Sequence, residues 1–259
     1  MGSAMDVIQV TVIDVGKGDC ILVQAGASAA LIDAGYDDTA DNVVRHLRKQ
    51  GVEQLEFLLI THYDKDHIGG IRAIGEAFPI GTVYLPGYEG GDKQYRSAMS
   101  AVGRLAVPAK PVTQELALIL GGARFTILPS RLKYDPHAAG DEGNDNDLSL
   151  VATLVSDEDS YLFAGDIEEA GTDAFLARGL GAFDVLKVPH HGEKASNMDE
   201  LLAAVRPKVA IVTDASDDPA HKKTLKQLKR AGADVYCTSD CGTVAVISAG
   251  TRIYRVAHS

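Results

Sequence analysis

Residues 61–70, THYDKDHIGG, limit the fold most, because they place two histidines and two aspartates directly after the apolar run 55–60. That run, LEFLLI, has the length and composition of a buried strand. A loop at a strand end can turn several side chains toward one point. Imidazole and carboxylate groups are usual ligands of Zn, Mn or Fe, and carboxylates crowded without a cation repel one another. The segment therefore predicts a metal-binding loop, and the alternative is a polar loop with its charges in water. The four candidate ligands are His62, Asp64, Asp66 and His67.

Residues of the same chemical type recur at later predicted strand ends. They are Asn146, Asp166, His190, His191 and His221. A buried strand that ends in an aspartate needs a partner for that charge, and a divalent ion supplies one. Taken singly, His221 is typical of a helix start, and one of the two adjacent histidines is compatible with a structural role. Five loops that carry such residues together predict a binuclear metal pocket.

The order of predicted elements indicates the architecture. β-rich runs and helices alternate in similar order in both halves, which predicts an α+β fold in which two sheets pack face to face with helices outside. This is a four-layer αββα sandwich. The pattern also predicts a helix over 68–78 and a strand over 235–239. We expect a single domain over 6–259. Residues 1–5, MGSAM, are left out of it because they are typical of a remnant of recombinant expression.

Composition limits the partners and the location. The formal net charge is −11, so the surface as a whole should repel phosphate backbones and anionic membranes, and any nucleic-acid contact must be local. No apolar run approaches the roughly 18–20 residues of a membrane span, and no signal peptide opens the chain. Three cysteines without a paired framework fit a reducing compartment. We therefore expect a cytoplasmic protein without membrane contact, and the sequence indicates no obligate protein partner.

One cationic segment is a candidate for contacting phosphate. In residues 221–230, HKKTLKQLKR, the residues Lys222, Lys226 and Lys229 have i, i+4, i+7 spacing, so they line one helix face. They would steer phosphate groups at the mouth of the pocket. The alternative is a solvated helix face whose C-terminal cations suit the helix dipole.

Three aspartates are candidates for orienting the metal ligands. The segment DVGKGD predicts a turn between the first two strands, and Asp14 and Asp19 in it lie close enough to the pocket to orient ligands. A purely structural turn is equally compatible with the segment. Asp33 in LIDAG is the third candidate.

These motifs resemble the metallo-β-lactamase superfamily, whose signature is HxHxDH followed by a distant histidine, a GD pair and a last histidine. More narrowly, the chain is similar to the soluble hydrolase domain of the ComEC competence-protein family. The segments that carry this resemblance are DVGKGD, LIDAG, THYDKDHIGG, NDLSLV, FAGDI, LKVPHHG and TSDCGTVAV, and they span nearly the whole chain.

The resemblance implies a role for each candidate residue. The ligands would be His62 and Asp64 for one ion, Asp66 and His67 for the second, and Asp166 as the bridge. Asn146 stands where the superfamily usually has its fourth histidine, and His221 matches the position of the last ligand. Asp66 would be essential for catalysis, and His190 and His191 would lie near the reaction centre as phosphate contacts or proton donors.

Two departures from the superfamily pattern bear on the metal. Asp64 replaces the second histidine of the signature and Asn146 replaces the later one, so two imidazoles become oxygen donors. Harder oxygen donors weaken the case for Zn and strengthen the case for Mn or Mg. We therefore expect two divalent ions, Mn or Zn, with Mg as a further option.

The expected chemistry follows from two close cations, which lower the pKa of a bridging water and stabilise the oxygens of an in-line displacement. Phosphodiesters and lactones both suit such a site. The resemblance favours a phosphodiesterase that cleaves DNA. One alternative is a small-molecule hydrolase of a lactone, thioester or nucleotide, which a narrow pocket sealed by the loop 87–96 would favour. The other is a non-catalytic scaffold, against which the complete set of ligand-type residues argues.

Overall fold

A computed structural model describes residues 7–91, 93–135, 137, 145–156, 159–248 and 255–258. The predicted remnant at residues 1–5 lies outside these residues. The strands are β1 (Ile8–Val12), β2 (Ile21–Ala25), β3 (Ser28–Ile32), β4 (Leu55–Leu59), β5 (Ile80–Pro86), β6 (Ala109–Val112), β7 (Leu116–Leu120), β8 (Ala123–Leu128), β9 (Val151–Val155), β10 (Ser160–Phe163), β11 (Val185–Lys187), β12 (Val209–Val212), β13 (Asp234–Cys237), β14 (Val244–Ser248) and β15 (Arg255–His258).

The helices are α1 (Ala40–Lys49), α2 (Lys65–Ile68), α3 (Ile71–Ala77), α4 (Lys93–Leu105), α5 (Glu169–Leu176), α6 (Met198–Val205), α7 (Lys222–Arg230) and α8 (Thr238–Cys241). Short 3-10 turns cover Asn146–Leu148 and Pro189–Gly192. No helix among the described residues combines the length and the apolar composition that crossing a membrane requires.

The strands form two mixed sheets. The first has the order β15-β14-β1-β2-β3-β4-β5-β6, and the second has the order β13-β12-β11-β10-β9-β8-β7. Each sheet contains an antiparallel meander that continues into parallel strands: β3 to β6 in the first sheet and β10 to β13 in the second. Most of the parallel strands are joined through helices, as such crossover connections usually are.

Three apolar clusters hold these elements in four layers. The inner cluster lies between the sheets, where the rings of Phe57 and Phe125 meet edge to face with centroids 5.0 Å apart. A second cluster joins the outer face of the first sheet to α1, α3 and α4, and a third joins the second sheet to α5, α6 and α7. In α1, for example, Val43 and Leu47 are buried at i, i+4 spacing while Arg48 is exposed. The predicted αββα sandwich is confirmed.

The sheet topology determines where polar side chains gather. Parallel strands point the same way, so the segments that follow β3, β4, β10, β11 and β12 leave the sandwich along one edge. In open sheets of this kind, ligands bind at the carboxyl ends of the strands. This edge is therefore the expected position of a functional site.

Two predicted elements are wrong in detail. The helix expected over 68–78 is divided into α2 and α3, because Gly69 and Gly70 pack directly on the segment before α1. A Cβ on Gly69 would lie 2.2 Å from the backbone nitrogen of Asp37, which no side chain tolerates. The strand expected over 235–239 ends at Cys237, since the Thr238 hydroxyl bonds to the backbone of Asp214 and begins α8.

Candidate metal centre

The loop after β4 folds back on itself within a few residues. Asp64 precedes the first turn of α2, and its carbonyl oxygen accepts the backbone N–H groups of His67 and Ile68 at 2.9 and 3.0 Å. This turn brings the rings of His62 and His67 together, with centroids 4.1 Å apart. Both rings are buried at the edge of the sandwich.

Four side chains from three loops converge beside this turn. Ligand-type atoms of Asp66, His67, Asp166 and His191 all lie within 4.8 Å of one another. The Asp166 Oδ2 atom lies 2.8 Å from His191 Nε2 and 3.3 Å from His67 Nε2. Asp66 Oδ2 lies 3.2 Å from His191 Nε2. Two imidazoles and two carboxylates in this arrangement could hold a divalent cation.

The charges of this cluster depend strongly on one another. Burial alone would lower the pKa of His67, but the carboxylates of Asp166 and Asp33 raise it well above its usual value. Burial likewise opposes protonation of His191, yet contact with Asp166 and Asp66 raises its pKa to about 9. Burial would raise the pKa of Asp66, but the hydrogen bond from His191 and the charge on His67 lower it to about 2. Positive charge between the carboxylates of Asp66 and Asp166 is therefore stabilising. A bound cation would supply this charge in place of the protons on the two imidazoles.

Asp33 orients His67. Its Oδ2 atom lies 2.7 Å from His67 Nδ1, and its carboxylate also accepts the backbone N–H and the hydroxyl of Thr61 at 2.8 and 2.7 Å. With Nδ1 engaged in this way, Nε2 of His67 is directed into the cluster. Asp33 is fully buried and has a φ of 58°, which is uncommon for a residue with a side chain. These contacts support the orienting role predicted for Asp33.

Asp19 contacts His191 through one hydroxyl group. The Thr213 Oγ1 atom lies 2.9 Å from His191 Nδ1 and donates to Asp19 Oδ1 at 2.8 Å. Asp14, the other aspartate of the first turn, is exposed, and its carboxylate accepts the backbone N–H of Gly16. The described contacts of Asp14 are thus those of a structural turn, whereas those of Asp19 support an orienting role.

Lys187 is a buried cation that the sequence analysis missed. Only 2% of it is exposed, and its ammonium contacts the carboxylate of Asp19, Oδ1 of Asp166 at 3.4 Å and the carbonyl oxygen of Gly165 at 3.3 Å. Burial would lower its pKa, but Asp19 and Asp166 raise it, so the side chain is charged. The available signal was a lysine within the apolar run 183–189, because a buried lysine requires a partner.

Three atoms expected to bind the other ion lack hydrogen-bond partners among the described residues. They are His62 Nε2, Asp64 Oδ1 and Asn146 Oδ1, and all three are buried. His62 Nε2 lies 3.7 Å from Asp64 Oδ2. Buried polar atoms rarely stay unpaired in folded proteins, and an imidazole nitrogen and two oxygens are suitable cation ligands. These residues therefore fit the ion that His62 and Asp64 were predicted to bind.

The structure does not bring His221 into the cluster. Its backbone N–H donates to the carbonyl oxygen of Gly192, and its exposed ring caps α7 by accepting the N–H of Lys223 at 3.1 Å. Gly192 packs so closely on Ala220 that a Cβ would lie 2.9 Å from the Ala220 Cβ, and His191, the residue before it, contacts Asp166 in the cluster. The described geometry thus places His191, rather than the predicted last ligand His221, in the cluster with Asp66, His67 and Asp166.

The two adjacent histidines point to different surroundings. His190 and His191 both have a positive φ, 46° and 50°, and their rings are inclined at 63° to each other. His190 is half-buried, with Nδ1 3.3 Å from Glu168 Oε1 and Nε2 3.5 Å from Asn146 Nδ2. It lies beside the cluster, at a position from which a substrate could be contacted.

The predicted lysine stripe is exposed on α7 and begins near these histidines. The Thr224 hydroxyl of α7 donates to the carbonyl oxygen of Glu193 at 2.9 Å, and His221 bonds to Gly192. Lys222 lies between His221 and Thr224, the two residues that contact the histidine segment. Lys226 and Lys229 follow along the helix. Their role in substrate binding stays a prediction.

The chain is similar in sequence to one protein family and to parts of longer bacterial proteins. Residues 13–213 match the family described as the metallo-beta-lactamase superfamily. The chain is 31% identical to Recombination protein 2 of Haemophilus influenzae, covering 92% of the chain and 28% of that protein. It is 27% identical to ComE operon protein 3 of Bacillus subtilis, covering 91% and 32%. The chain thus spans less than a third of the length of these relatives.

Solved structures share the fold at low sequence identity. A diphosphatase from the PhnP family superposes with a TM-score of 0.56 at 16% identity, covering 93% of this chain and 98% of that one. The metallo-beta-lactamase fold protein YhfI from Bacillus subtilis superposes with a TM-score of 0.58 at 15% identity, covering 89% and 96%.

Proposed function

The chain belongs to the metallo-beta-lactamase superfamily, and from this premise we propose that it is a metal-dependent phosphodiesterase that cleaves DNA. The observation that carries the proposal is the convergence of Asp66, His67, Asp166 and His191 on one point at the edge of the sandwich. The chemistry of these donors matches a divalent cation, and the orientation of the two imidazoles is supported by Asp33 and Thr213.

Each residue has a defined task in this proposal. Asp66, His67, Asp166 and His191 would hold one cation, and His62, Asp64 and Asn146 would hold the other. When bound, the cations supply the positive charge that activates water and stabilises the leaving oxygen. His190 lies beside the centre, half-buried, and would contact the phosphate or hand a proton to the leaving group.

DNA is proposed as the substrate because of the relatives. Two proteins similar to nearly all of this chain are named a recombination protein and a ComE operon protein, and a third is named a competence protein. The cytoplasmic location expected from the sequence also stays a prediction.

The test is a substrate comparison on metal-stripped protein. Labelled single- and double-stranded DNA, a cyclic dinucleotide and a lactone would each be incubated with added Mn, Mg or Zn. We expect DNA cleavage that depends on added metal. Turnover of the lactone without cleavage of any phosphodiester would reject the proposal in favour of a small-molecule hydrolase.

We predict that Mn supports higher activity than Zn. Asp64 and Asn146 supply oxygen where imidazole is usual in the superfamily, and oxygen donors favour the harder cation. DNA cleavage would be measured at saturating concentrations of each metal, with the bound metal quantified so that weak binding is distinguished from slow chemistry. Full activity with Zn and none with Mn would contradict this prediction.

We predict that Lys226→Ala weakens DNA binding and reduces its salt dependence. Removing one cation that contacts phosphate should lower the slope of log affinity against log salt by about 0.7–0.9 and raise KM more than it lowers kcat. Binding titrations at several salt concentrations would measure this, with Arg48→Ala on the exposed side of α1 as the control. A slope equal to that of the control would identify α7 as a solvated face.

A further inference from the structure

A second cationic surface lies on another side of the metal loop. It is a groove between α2, α3 and α4, and polar residues such as Gln94, Ser97 and Ser100 contribute to its lining. Four cations and two carboxylates line it, which leaves a local formal charge of +2 on a chain whose net charge is −11. The charged lining residues are Lys65, Arg72, Lys93, Arg104, Asp37 and Asp38.

The groove borders the loop that carries the candidate metal ligands. Lys65, at its edge, lies between Asp64 and Asp66 in the chain, and its backbone N–H donates to Gln94 Oε1 at 2.6 Å. This hydrogen bond fixes the start of α4 against the loop that carries the proposed ligands. A molecule lying in the groove would therefore lie against the loop that carries the proposed ligands Asp64, Asp66 and His67.

The first turn of the chain connects the groove to α7. Tyr36, which lines the groove, donates its hydroxyl to the carbonyl oxygen of Lys17 at 2.8 Å. The ammonium of Lys17 in turn pairs with Glu193 and with Asp218, 2.9 Å away. Glu193 also accepts a hydrogen bond from α7. The groove and the lysine stripe are thus linked through the turn that lies against Asp66.

The cations of the groove are available to a ligand. Within the described part of the chain, Lys65, Lys93 and Arg104 form no ion pair, and all three are exposed. Arg72 pairs with Glu76 at 3.3 Å, but both side chains are largely exposed, and such a pair is weak enough to exchange for phosphate.

We infer that this groove binds the phosphate backbone of DNA next to the bond that is cleaved. The inference rests on the proposed nuclease function and names the surface that its substrate follows. Lys93 and Arg104 are eleven residues apart on α4, which corresponds to roughly 16 Å along a helix. A DNA strand carries one charge per roughly 3.4 Å of helix axis, so the two cations would contact phosphates of one strand that are roughly five spacings apart.

The lining favours a phosphate backbone over an apolar partner. Ser97, Ser100 and Gln94 offer hydroxyl and amide donors of the kind that contact phosphate oxygens, whereas the apolar groups of the lining come from the separate residues Tyr36, Ile68 and Ala101. A partner helix would need a continuous apolar stripe to pack on, and this groove provides none among its described lining residues.

The test compares two double variants that remove the same charge. Lys93→Ala/Arg104→Ala changes the groove, and Arg48→Ala/Lys110→Ala removes one lysine and one arginine from exposed positions outside its lining. Binding of a fluorescent single DNA strand to the full chain would be followed in EDTA, so that cleavage cannot contribute. We expect Kd to rise about tenfold for the groove variant and the salt slope to fall by about 1.4, with little change for the control.

Several outcomes separate this inference from the proposed function. Equal Kd values and salt slopes for both double variants would overturn the groove, even if the protein cleaves DNA. Undetectable DNA binding by the unaltered chain at low salt, or equally tight and equally groove-dependent binding of polyglutamate, would also overturn it. Groove-dependent DNA binding without cleavage under any metal would support the groove and reject the nuclease. Melting curves of both variants would verify that they are folded.

Discussion

Replacing Asp66 by alanine is expected to reduce phosphodiester hydrolysis by several orders of magnitude while the protein stays folded. The carboxylate of Asp66 lies 3.2 Å from His191 Nε2 and 3.6 Å from His67 Nε2, so its loss removes one of two anions that face the proposed cation. The cation would bind more weakly, and water would no longer be activated between two ions. The Asp66 side chain is 16% exposed and belongs to no apolar cluster, so the core is little affected.

Cleavage, bound metal and thermal melting would be measured together for this variant. Glu53→Ala, which removes an exposed carboxylate from a loop, is the control for a general change of charge. Wild-type metal content and wild-type hydrolysis in Asp66→Ala would require the catalytic interpretation of residues 61–70 to be abandoned.

Lys187→Met is expected to lower the free energy of unfolding of the metal-free protein by about 3–5 kcal/mol, because it leaves buried carboxylates without their cation. Methionine has a similar volume, so the loss would report mainly the uncompensated charge of Asp19 and, to a smaller extent, that of Asp166, which keeps the imidazoles of His67 and His191 beside it. Urea unfolding of the metal-free protein would measure it. Saturating divalent metal should reduce the difference from the wild type, because a cation beside Asp166 replaces part of the lost positive charge and therefore stabilises the folded variant more than the wild type.

A double-mutant cycle tests the cause of this loss. Asp19→Asn in the Lys187→Met background removes one of the stranded charges, so the double variant should lose less stability than the two single losses added together. If Lys187→Met unfolds at the same urea concentration and with the same slope as the wild type, the buried pair contributes nothing to stability.

The sequence predicted the sandwich and the region of the site for the same reason. Apolar runs of strand length alternate with helices in both halves, and ligand-type residues such as His62 and Asp166 stand directly at the ends of those runs. Because strand direction and strand ends can be inferred from such patterns, the metal loop and its edge follow without knowledge of long-range packing.

The pattern could not decide which later histidine faces the cluster. That choice depends on the positive φ values of His190 and His191 and on the close packing of Gly192 against Ala220, neither of which has a periodic signal. The partners of Lys187, Asp19 and Asp166, come from two separate earlier segments of the chain, and only the tertiary fold brings them together. Contacts of this long range lie beyond local propensity and spacing.

The ion pair between Lys187 and Asp19 also connects the two sheets of the sandwich. Lys187 ends a strand of the second sheet, whereas Asp19 immediately precedes a strand of the first, and the proposed ligands are divided between the sheets in the same way. A cation bound by the proposed ligands would link the same two sheet edges that the ion pair of Lys187 and Asp19 already connects. The walls of the site are therefore held together independently of metal, and the entropy cost of bringing them together belongs to folding rather than to metal binding.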